Sequence, residues 1–131
     1  MNKLIILLLM VAGLYSCQKK SDAEPDASQA VLTITSPVAG QVYHSGDSVH
    51  VMATVTFPAE MHGYEIKVTD TVSGLVVYDE AQHVHNDHFE ISSAYVSTGT
   101  QAMPGLKLEL LAEIDHDGTT ASKVVRYQYV P

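Results

Sequence analysis

Seven histidines and a single cysteine are distributed along this 131-residue chain, and they are the side chains best suited to chemistry. Neutral imidazole is a common ligand for zinc, copper and nickel. His83 and His85 stand two apart, so in an extended segment both rings leave the same face and form a two-point clamp. Acidic residues close to the histidines would offset an ion's charge. The expected donors are His83, His85 and His62, with His116 or His88 completing a tetrahedral site and Met61, Asp115 or Asp117 as substitutes. A thioether beside imidazoles tilts such a site towards copper, a carboxylate towards zinc. The single cysteine, Cys17, precedes the domain, and with no thiol in the domain a cysteine-based structural zinc site is excluded.

Ordinary roles compete for the same side chains. Histidine is common on exposed loops, and a His-x-His pair on a strand edge can simply be solvated. His62 precedes Tyr64 and Ile66 in step, which suits a histidine at the rim of a core. Alternation with Phe89 and Ile91 turns His88 to the opposite face unless a bulge at Asn86 and Asp87 changes the register. His116 falls in a hairpin turn and can be a polar tip. Asp115, Asp117 and Gly118 begin like a calcium loop, but the later ligands and closing glutamate are missing.

The elements that must position these residues read as strands. From Val31 onward apolar residues recur at every second position in short runs between turn formers. Leu32 and Ile34 form the first run. Val49, Val51, Ala53, Val55 and Phe57 share one face of a long second strand that Pro58 ends. Tyr64, Ile66 and Val68, then Leu75 to Tyr78, then Phe89 and Ile91, make three more. Leu106 to Ile114 is the clearest alternation, and Asp117-Gly118 is a hairpin signal leading to a last strand through Val124 to Val130, with Tyr127 and Tyr129 facing inward. If seven such strands run alternately up and down, the second, fourth and sixth connections share one pole. Those connections carry His62, then His83, His85 and His88, then His116, while His44 and His50 fall towards the other end.

About seven antiparallel strands with turn signals at this spacing predict an all-β, immunoglobulin-like or fibronectin-III-like sandwich; a small barrel would use the same strands with different pairing. The phrase Ile34-Thr35-Ser36-Pro37-Val38-Ala39-Gly40, followed by Ser45-Gly46-Asp47-Ser48-Val49, resembles the opening of bacterial Ig-like domains on cell-surface proteins. That resemblance implies a fold and a surface context, because function does not travel with this fold.

The N-terminus adds a location. Lys3 and the apolar run Leu4 to Gly13 form a signal too short to span a bilayer, which needs about 20 residues. Leu14-Tyr15-Ser16-Cys17 resembles the lipobox of bacterial lipoproteins, which implies cleavage, acylation of Cys17 and anchoring to a bacterial membrane, the outer membrane or cell surface foremost. The organisation expected is a signal over 1–16, the lipidated cysteine and a polar tether over 17–30, and the sandwich over 31–131. Without Lys3 the chain holds 6 basic against 15 acidic residues, a formal charge of −9 that disfavours nucleic acid. No nucleophile elbow and no phosphate-binding glycine loop occurs, so a non-enzyme is expected. Two functions remain: a divalent-metal binder using zinc or copper at the histidine pole, or a metal-free accessory module for an envelope protein or glycan.

Overall fold

The computed structural model describes residues 25–131. The expected signal, Cys17 and the first part of the tether lie outside them. Eight strands follow in order: β1 (Val31–Ser36), β2 (Val42–His44), β3 (Ser48–Met61), β4 (Gly63–Asp70), β5 (Val76–Gln82), β6 (Asn86–Val96), β7 (Met103–Glu113) and β8 (Thr120–Val130). They form a three-stranded sheet ordered β1-β3-β6 and a five-stranded sheet ordered β2-β8-β7-β4-β5. All pairs are antiparallel except β2 with β8.

Period-two alternation explains why the sheets face each other. In β3 the odd positions Val49 to Phe57 are buried while the residues between them are exposed. In β7 Leu106, Leu108, Leu110 and Ala112 are buried while the residues between them are half-buried, with Tyr127 and Tyr129 of β8 beside them. These side chains, with Ile66, Val68, Phe89 and Ile91, make one continuous core between the layers. The expected inward facing of Tyr127 and Tyr129 agrees with their near-complete burial.

Four details depart from the sequence expectations. The short β2 adds an eighth strand; it lies within the first connection, so the up-and-down order of the others survives. Pro58 does not end β3. Instead, β3 takes five steps from Thr56 (opposite His88) to Met61 (opposite Asn86), where β6 takes two, so Phe57 to Glu60 bulge out of the ladder. A residue without an amide N–H fits such a bulge. The fourth connection is also far shorter than expected, because β5 runs to Gln82 and β6 starts at Asn86, leaving only His83, Val84 and His85. Finally, Ala27–Gln29 form a 3-10 turn capped by Asp26, and Ala27 and Ala30 pack against the core. The ordered body therefore begins before Val31.

Candidate metal centre

Three tight connections converge at one pole. His62 is the single residue between β3 and β4, and its N–H donates to the Glu113 carbonyl of β7 at 2.8 Å. His83 and His85 bracket the β5–β6 loop. His116 rides on the β7–β8 turn, which is fastened by Ile114 N–H to Thr119 O at 2.9 Å. The Asp115 carboxylate accepts from the N–H groups of Asp117 and Thr119, each at 2.9 Å. Hydrogen bonds from Thr119 first, then from Asp117 and Gly118, hold that carboxyl below the usual carboxylate range.

Gly63 lets these connections meet. A Cβ at that position would stand 2.3 Å from the Gln82 carbonyl oxygen and 3.2 Å from His83 Cα, so β4 and the end of β5 approach this closely only over a glycine. The close approach brings the His83–His85 loop alongside His62.

The result is a cluster of imidazoles. His62, His85 and His116 each offer a ring nitrogen, and these atoms all lie within 4.8 Å of one another. The His62 ring centroid is 3.8 Å from that of His116 and 4.7 Å from that of His85. Tetrahedral ligands at metal–nitrogen distances of 2.0–2.1 Å stand about 3.3 Å apart, so no pair of the triad must close by more than roughly 1.5 Å to share an ion. Closing that distance falls to rotation of the exposed His85 and His116 side chains. His62 Nδ1 is buried without a hydrogen-bond partner, an orphaned polar atom of the kind an ion would satisfy. Burial above all, then the neighbouring His116 and His85 rings, holds the His62 imidazole below its ordinary pKa, with Glu60 pulling the other way. A neutral ring is the form that coordinates.

The remaining candidates separate clearly. His83 Nε2 lies 3.2 Å from His85 Nε2, but its ring centroid is 6.2 Å from that of His116, so it joins the cluster through His85 alone. His88 does not join. It follows the alternation of β6 to the outer face, where it sits 3.5 Å from Glu90, and the bulge that could have changed its facing lies in β3 instead. Met61 is buried in the core, which removes the thioether from the donor set. The Asp115 carboxylate is already committed to its turn.

One residue of the pole was absent from the expected set. Glu60 Oε1 stands 3.0 Å from His85 Nδ1. Its proximity to His62 in sequence was visible, but only the bulge explains its reach to His85.

No family model matches the chain, and no curated protein matches it. Among solved structures, the sandwich is similar to fibronectin(III)-like modules of Clostridium thermocellum CbhA, with 18% identity and a TM-score of 0.51, over 76% of this chain and 46% of that one. The chain thus spans about half the length of that structure. It also matches the CARDB domain of a Pyrococcus furiosus protein solved in complex with di-metal ions, at 10% identity and a TM-score of 0.43, covering 79% of this chain and 88% of that one. The strand order and the likeness to the fibronectin(III)-like modules make this an immunoglobulin-like, fibronectin-III-like β-sandwich.

Proposed function

We propose that this protein is a lipid-anchored binding module of the bacterial envelope that holds a divalent transition-metal ion at its histidine pole, without catalysing a reaction. The observation that carries the reading is the convergence of His62, His85 and His116, from three separate connections, to within 4.8 Å. Solvated loop histidines have no reason to gather in this way, and protonated ones would repel. Three imidazoles, with no thiol or thioether offered at this pole among the described residues, suit zinc, copper(II) or nickel rather than a soft copper(I) site. A formal charge of −8 over the whole chain favours a cation.

The path of the chain supports a membrane-facing pole. Val31 pairs with Thr56, and Thr56 with His88, so the N-terminal end of β1 lies in a row only two residues along β6 from Asn86, which follows His85. Cys17 precedes Pro25, the first described residue, by eight positions, a reach of at most about 28 Å at roughly 3.5 Å per residue. An acylated Cys17 would therefore tether the sandwich to the lipid from the end that carries the metal pole.

Calorimetric titration of the chain from Gln18, which carries the whole sandwich, with zinc, copper(II) and nickel tests the reading. One ion per chain with a Kd tighter than about 10 µM, weakening as pH falls through about 6.5, is expected because protonated imidazole cannot coordinate. No uptake at pH 7.5 would leave the metal-free accessory module in its place.

A further inference from the structure

The carboxylate of Glu60 accounts for something the three histidines do not, namely which nitrogen of His85 is free. An ionised carboxylate only accepts hydrogen bonds, so the 3.0 Å contact from Glu60 Oε1 to His85 Nδ1 requires the proton to sit on Nδ1. A neutral ring protonated there carries its lone pair on Nε2. His85 Nε2 points away from Glu60 and lies 3.2 Å from His83 Nε2. Two bare nitrogens would repel at that distance, so His83 supplies the proton of this second bond while no ion is bound. Free histidine in water prefers the opposite tautomer, with Nε2 protonated. The contact with Glu60 reverses that preference.

The backbone shows how Glu60 reaches His85. It is the last of the residues that bulge between Thr56 and Met61, so the β3 ladder does not hold it opposite β6. A regular ladder continued from Thr56 and His88 would set Glu60 opposite Val84 of the β5–β6 loop instead. As an exposed ion pair the contact would add little to stability. As an orienting contact its effect falls on ring geometry. Carboxylates that accept from the outer N–H of a ligating imidazole fix its tautomer and raise its basicity.

We propose that Glu60 is the positioning carboxylate of this centre, locking His85 with Nδ1 protonated so that Nε2 is presented to an ion shared with His62 and His116. This rests on the metal reading above, but the orientation of His85 is measurable without metal. Long-range proton–nitrogen NMR on the ¹⁵N-labelled chain from Gln18 at pH 8, where imidazoles carry one proton, should show His85 protonated at Nδ1. In Glu60→Ala the ring should revert to Nε2 protonation, whereas Glu60→Gln, whose carbonyl oxygen still accepts, should retain Nδ1. Zinc affinity should fall 10- to 100-fold in Glu60→Ala, recover in part in Glu60→Gln, and stay unchanged in Glu90→Ala, which removes the carboxylate beside His88. Finding His85 protonated at Nε2 in the unaltered chain overturns the proposal, as does zinc binding that Glu60→Ala leaves within twofold. A correctly oriented His85 in a chain that takes up no zinc overturns the metal reading and, with it, any role of Glu60 towards an ion.

Discussion

Replacing Gly63 with alanine should damage the fold and the histidine pole together. The added Cβ would stand 2.3 Å from the Gln82 carbonyl oxygen, over 1 Å inside ordinary contact, and that oxygen is backbone with no rotamer to escape into. Relief requires β4 and β5 to separate where Tyr64 faces Gln82. Overpacking of this kind costs about 1–3 kcal/mol, and loosening a ladder hydrogen bond adds about 1 kcal/mol, so a loss of about 2–4 kcal/mol is expected. For a domain near 100 residues that is a fall in Tm on the order of 10–25 °C. Gly118→Ala is the control for the backbone: φ is positive at both glycines, +154° at Gly63 and +94° at Gly118, but Gly118 has open space around its Cβ, so backbone conformation alone should cost about 1–2 kcal/mol there and the loss at Gly63 should exceed it. Urea unfolding of both variants gives the comparison, and zinc titration gives a second readout, because separating β4 from β5 moves His83 and His85 away from His62. A Gly63→Ala variant as stable as the unaltered protein, with unchanged zinc affinity, would refute the claim that this close approach builds the site.

Other perturbations follow from the same geometry. His116→Ala should weaken zinc binding at least tenfold while His88→Ala leaves it unchanged, since His88 faces Glu90 on the outer surface; equal losses would show that the donors are misassigned. Acid should destabilise the metal-free fold through His62. Its native pKa lies below the ordinary 6.5, chiefly through burial, so the unfolded chain takes up the proton first as pH falls through 6.5. The urea midpoint should therefore drop from pH 7.5 to pH 5.5, and His62→Gln should flatten that slope; an unaltered slope contradicts the assignment. Tyr95 and Tyr127 share a hydroxyl–hydroxyl hydrogen bond beside the core, where burial first and then Tyr95 raise the Tyr127 pKa. Tyr127→Phe should cost about 1–2 kcal/mol by leaving the Tyr95 hydroxyl without that partner. The Tyr95→Phe/Tyr127→Phe pair should cost less than the sum of the single changes, and strict additivity in a double-mutant cycle would show that the bond contributes nothing.

Much of this arrangement was legible in the chain because it depends on period two and on counting. Alternation in Val49 to Phe57 and Leu106 to Ile114 marks the facing layers, and parity alone sends the connections bearing His62, His85 and His116 to one end. The short β2 could have upset that count, but it pairs with β8 inside the first connection and leaves the parity intact. Alternation also turned His88 outward, because no bulge in β6 intervened. What was hidden were the departures from regularity. Pro58 reads as a stop, yet the strand absorbs it as a bulge, and that bulge is why Glu60 meets His85. The run from Asp79 to His88 reads as a polar loop, but pairing with Tyr64 to Lys67 draws Asp79 to Gln82 into β5, because polar residues suit a half-exposed edge strand. Gly63 carries no signal of its importance until the Gln82 carbonyl is seen against it.

X-ray absorption at the zinc edge, on protein loaded with one equivalent and desalted, tests the central claim most directly. The account predicts a shell of three or four nitrogens near 2.0–2.1 Å with the outer scattering of imidazole rings, reduced by one ring in His116→Ala. Loss of zinc on desalting, or a shell of oxygens without imidazole scattering, would contradict it.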